Sequence, residues 1–176
     1  IIRELLVVFY GNELSLGIIL ACWLFWVAFG SLVLGRFVDL IHSKEKLLSY
    51  IQLAISIILP LNILFIRVIK LILKIPAGKI IGFTQVFSSS FISLSIICML
   101  LGIAFVLISK IAAKDSNMPS KQVAKIYLLE GVGASIGGII YTLFLIKAYT
   151  PFHNALIMGN LNLIVSILFN RNIVQL

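Results

Sequence analysis

Apolar residues in this chain fall in long runs, and polar residues gather between them. A helix rises about 1.5 Å per residue, so about 20 apolar residues cross a hydrocarbon core of about 30 Å. Leu14 to Gly35 is one run of that length, and Leu47 to Ile66 is a second. Ile80 to Ser109 is longer than a crossing needs, and its first part, through Ser88, Ser89 and Ser90, reads as a tilted extension or an interfacial piece. Ile126 to Ile146 also qualifies but carries Glu130, and Ala148 to Asn170 closes the series. Leu5 to Asn12 is apolar but too short, and reads as the last turns of a helix. No period of two runs through these segments, so a β-barrel is not expected.

The breaks fit the runs. Gly11 and Asn12 end the first helix, Pro76 and Gly78 mark a turn, and Ser116, Asn117, Met118 and Pro119 form a polar loop. Thr150 followed by Pro151 reads as a helix cap with proline at the first helical position. Pro60 lies inside a run, where a helix in lipid tolerates it if neighbours satisfy the freed carbonyl. The expected fold is all-α: one polytopic transmembrane bundle over residues 1–176, of about six spans with the first truncated. Because residue 1 is Ile, the chain is expected to be a piece of a longer protein.

Composition sharpens this picture. Of the residues 61% are hydrophobic and 11% charged, against about a quarter charged in soluble domains. A soluble fold of this size could not hide so much apolar surface. The net charge of +8 would fit nucleic acid if the cations formed a stripe. They lie between the apolar runs instead, where they anchor to anionic lipid, so the expected partner is the bilayer and not nucleic acid. One side collects Arg36, Lys44, Lys46, Lys110, Lys114, Lys121, Lys125 and Arg171. The other collects Arg67, Lys70, Lys74, Lys79 and Lys147, and Arg3 is unassigned. The larger set is expected in the cytoplasm, which puts both ends of the unit there. Cys22 and Cys98 lie within runs and read as small packing residues.

Chemistry-bearing residues are few, and no catalytic, cofactor-binding or metal-ligating set is visible. Glu130 is either a substrate or proton site facing the bundle interior, or an interfacial carboxylate paired with Lys125 or a loop cation. Arg3 and Glu4 would lie within the membrane and need partners. Asn12 and Glu13 read as caps, and a carboxylate at a helix start is electrostatically favoured. Trp23 and Trp26 sit mid-span, either lining a cavity or filling the core, and a buried indole wants a partner for its N–H. Asn154, Asn160 and Asn162 could form an interhelical hydrogen-bond ladder, and His153 reads as an interfacial residue near its helix start. Gly131, Gly133, Ala134, Ser135, Gly137 and Gly138 place small residues four apart, which reads as a tight helix-packing seam centred on Gly133, Gly137 and Gly138. Without a preceding strand it is not a nucleotide loop. Gly30, Ser31 and Gly35 are expected to pack in the same way.

Two resemblances add to this reading. Gly35, Arg36 and Asp39, followed by Lys44 and Lys46, resemble the short cytoplasmic signature between helices 2 and 3 of major facilitator transporters. There the Asp and basic groups bond to a neighbouring helix end. Further, Arg3 to Gly17, Trp23 to Arg36, and Tyr127 to Gly138, with its Glu130 and spaced glycines, resemble the membrane region of bacterial spermidine-synthase-like proteins, the fused MFS/spermidine synthases. The resemblance covers nearly the whole chain. It implies a downstream cytosolic aminopropyltransferase domain that uses decarboxylated S-adenosylmethionine as co-substrate. It also implies a multi-pass location in the bacterial inner membrane. This chain would then be the membrane anchor, with polyamine or small-molecule transport and homo-oligomerisation as further roles. The alternative is half of a major-facilitator-like transporter with no enzyme activity.

Overall fold

The computed structural model describes residues 1–9, 11, 13–72, 82–114 and 116–174, with the side chains of 70–72, 169 and 171–174 outside that description. Every regular element among the described residues is helical. The expectations for Asn12, Pro76, Gly78, Lys74 and Lys79, and for the Lys70 and Arg171 side chains, lie outside the described residues.

Helix α1 is Ile2–Val8 and ends at Gly11, whose φ of +64° is the left-handed conformation that glycine adopts without strain. The Gly11 N–H donates to the Leu6 carbonyl at 2.9 Å and closes the helix end. Helix α2 is Glu13–Phe29; it passes through a π turn at Gly30–Leu34 into α3, Gly35–Phe37, and a last 3₁₀ turn at Val38–Leu40. Helix α4 is Lys44–Ile72 and contains Pro60. Helix α5 is Phe83–Ala113. Helix α6, Pro119–Ile140, continues through a second π turn, Tyr141–Leu145, into α7, Ile146–Ala148. Helix α8 is Pro151–Val174. Thr150 caps it as expected, its Oγ1 accepting the His153 N–H at 3.4 Å.

Five of these helical stretches are long and apolar enough to cross a membrane: Glu13–Leu40, Lys44–Ile69, Phe83–Ala113, Pro119–Ala148 and Pro151–Leu168. These are the five full spans expected from the apolar runs. Ser88, Ser89 and Ser90 belong to the continuous helix α5 and not to a separate interfacial piece, and Ser90 is fully buried. Ser88 and Ser89 bond back to carbonyls one turn earlier, which satisfies their hydroxyls in an apolar setting.

Two close pairs form the frame. Helices α2 and α5 run parallel: Trp26 meets Phe91, Gly30 meets Met99, Gly35 meets Val106 and Asp39 meets Lys110. A Cβ on Gly30 would strike the Met99 carbonyl, and one on Gly102 the Val27 carbonyl, so the backbones touch where only glycine fits. Helices α4 and α8 run antiparallel. Ser49 and Ser166 exchange hydroxyl bonds at 2.8 to 3.0 Å, and Gly159 lies on the Ser56 carbonyl. Asn62 ties α4 to α5 by donating to the Ser93 carbonyl at 2.6 Å. Cys22 and Cys98 are buried free thiols in the core.

Helix α6 departs from expectation. None of its residues is buried. A Cβ at Gly131, Gly133, Gly137 or Gly138 would meet nothing within 4 Å. The packing seam expected at Gly133, Gly137 and Gly138 is therefore not closed against another described helix. Among the described residues the glycines that bring helices together are Gly30, Gly35, Gly102 and Gly159, of which Gly30 and Gly35 were expected.

Candidate functional site

Helices α1, α2, α4, α5 and α8, with the second π turn and α7, line a half-open cavity of about 530 Å³. That volume lies within the range of about 300–1,000 Å³ typical of small-molecule sites. Its lining runs from Trp23, roughly 15 Å along the axis from the first residue of its span, to Ile146 and Pro151 at the ends of theirs. The walls are mainly apolar: Leu59, Ile63, Leu94, Ile97 and Met158. Four lining residues carry polar groups: Arg3, Trp23, Tyr141 and Asn154.

Each is placed by its element. Arg3 and Glu4 are neighbours on α1, and helical geometry turns successive side chains to different sides. Glu4 is only 8% exposed and accepts a bond from Arg67 Nη2 of α4 at 3.0 Å. Arg3 lines the cavity and forms no ion pair with a described residue. So Glu4 has the partner expected of an intramembrane charge, and Arg3 does not.

The two tryptophans divide the two roles foreseen for them. Trp26 fills the core, donating its indole N–H to the Phe91 carbonyl at 2.8 Å within a cluster that includes Phe25 and Phe29. Trp23 lines the cavity, as does Tyr141 at the start of the second π turn. Insertions of this kind often occur at functional sites, because they break the regular i→i−4 ladder. Here one carbonyl of the turn, Leu145, accepts a bond from Asn154 Nδ2 at 3.2 Å. Asn154 is 3% exposed, and its Oδ1 has no partner among the described residues.

The other expected residues fall elsewhere. Glu13 is exposed in the first turn of α2, as a cap-region carboxylate should be. Asp39 accepts a bond from Lys110 Nζ at 2.6 Å, and the same ammonium reaches the Gly35 carbonyl at 3.3 Å. Asp39 therefore joins the end of its own span to the last turn of α5. Glu130 is exposed, so it does not face the interior of the described bundle, and it forms no ion pair with Lys125. Helical neighbours lie three or four residues apart, and Lys125 lies outside that spacing. Of the asparagine ladder only Asn154 reaches another helical stretch, at Leu145, while Asn162 bonds to the Met158 carbonyl of its own helix. Two residues of α8 make interhelical polar links among the described residues: Asn154, to the Leu145 carbonyl, and Ser166, to Ser49.

Three residues of consequence were not singled out from sequence: Tyr141, and the partner cations Arg67 and Lys110. Arg67 stands directly after the Leu47–Ile66 run, and both it and Lys110 were read only as cations flanking the spans. Comparison with protein-family models, with curated proteins and with solved structures finds no match to this chain.

Proposed function

We propose that this chain is the membrane domain of a spermidine-synthase-like protein and acts as its anchor in a bacterial inner membrane. The observation that carries the anchor role is the set of five helices long and apolar enough to cross a bilayer. The resemblance of the stretches around Glu13, Trp23 and Glu130 supplies the family. The cavity lining holds one cation and no carboxylate, so it gives a polycation nothing to pair with. Anchoring, rather than polyamine passage through this cavity, is therefore the role we put forward. The test uses cells expressing the intact gene product. Aminopropyl transfer from decarboxylated S-adenosylmethionine to a diamine should stay with membranes washed in alkaline carbonate. Activity in the wash, or membranes that hold the protein but transfer no aminopropyl group, would overturn the reading.

A second reading, half of a major-facilitator-like transporter, is favoured by the Asp39–Lys110 bond, which ties the end of one span to the end of another. On that reading Asp39→Asn should slow solute flux in proteoliposomes at least tenfold. Flux that is absent in the parent, or unchanged in the variant, removes it.

A further inference from the structure

The cavity has a surplus of hydrogen-bond donors. Arg3 contributes a guanidinium with five N–H groups, Trp23 an indole N–H and Tyr141 a hydroxyl. None of the three bonds to a described residue. The nearby carboxylate, Glu4, is taken by Arg67. In an apolar setting an unpaired cation and unpaired donors are costly, and a ligand that supplies acceptors removes that cost. An Arg fork matches an oxyanion best, and the wall around it is aliphatic.

We infer that this cavity is a binding site for an anionic amphiphile. Its carboxylate or phosphate head pairs with Arg3 and the donors of Trp23 and Tyr141, and its alkyl body lies along Leu59 and Ile63. The inference rests on the cavity alone and does not depend on the family resemblance. A bilayer phospholipid and a free single-chain acid share this chemistry.

The chain has two tryptophans, so Trp26→Phe leaves Trp23 as the sole indole reporter. The chain in neutral detergent is titrated with bromine-labelled dodecanoate, and with the corresponding bromine-labelled dodecylamine. The acid should quench Trp23 saturably, while the amine should give only weak, unsaturated quenching. Arg3→Gln should raise the apparent Kd for the acid about tenfold or more, since it removes a charge-assisted bond, and Arg3→Lys should recover part of the loss. Arg3 is exposed, so these variants should keep the helical circular dichroism of the parent. As a second variant, Ala155→Phe puts bulk into the cavity lining and should abolish saturable quenching with Arg3 intact. Nanodiscs separate the two sources of ligand. If phosphatidylglycerol blocks the acid and phosphatidylcholine does not, the occupant is bilayer lipid; if neither blocks it, the occupant is a free acid, and either result sustains the site. Equal quenching by acid and amine, or quenching by the acid that Arg3→Gln leaves unchanged, would overturn the inference.

Discussion

At the scale of single residues, the ion pair between Glu4 and Arg67 is the clearest case of a charge that must be matched. The carboxylate is nearly buried, while the guanidinium is about half exposed, so the pair is partly screened. Removing the cation alone leaves the carboxylate stranded, and this dominates the cost. Arg67→Met should therefore destabilise the folded bundle in detergent by about 1–3 kcal/mol. Adding Glu4→Gln should recover a good part of it. Thermal unfolding followed by circular dichroism reads both, and a neutral Arg67→Met would mean that the pair does not form in the folded state. Asp39→Asn should change stability by less than about 1 kcal/mol, because that carboxylate is mostly exposed. From sequence, Glu4 could be read as needing a partner. Which cation supplied it could not, because α1 and α4 are far apart along the chain and their packing decides the pairing.

Helices, more than residues, were legible in the sequence. Uninterrupted apolar length fixes each span, because lipid leaves the backbone no partner outside its own helix. The five long helices accordingly fall where the apolar runs lie. Helix contacts were harder to read. Glycine spacing marks a face on which a backbone can approach, but not whether a helix arrives there. Gly30 and Gly102 are met by carbonyls of α5 and α2, while Gly133 and Gly137 are open. Gly102→Leu should thus cost at least about 1–3 kcal/mol by forcing α2 and α5 apart. Gly137→Ala should be neutral or slightly stabilising, since alanine favours a helix by up to about 1 kcal/mol over glycine. Resistance to unfolding in a denaturing detergent compares the two. Loss of stability in Gly137→Ala would show that a further helix packs on α6.

For the molecule as a whole, the account is of a membrane bundle whose outer face is largely apolar. Leu24 and Phe25 are each more than a third exposed, as are Leu161, Ile164 and Ile167 on α8. Such a surface would aggregate in water but is suited to lipid. The cavity was only half legible in advance. Trp23 and Asn154 could be picked out as polar groups in apolar runs. Their convergence with Arg3 and Tyr141 depends on the parallel α2–α5 pair, the antiparallel α4–α8 pair and a π turn that no local pattern announces.

Side-specific labelling of single cysteines tests the membrane-spanning arrangement most directly. In a background of Cys22→Ser and Cys98→Ser, one cysteine at a time replaces Glu13, Ser43, Asn117 or Tyr149. An impermeant maleimide is then applied to intact cells and to inverted vesicles. Five crossings require Ser43→Cys and Asn117→Cys to label from one side, and Glu13→Cys and Tyr149→Cys from the other. Labelling of Ser43→Cys and Asn117→Cys from opposite sides, or of all four from the same side, would contradict the bundle described here.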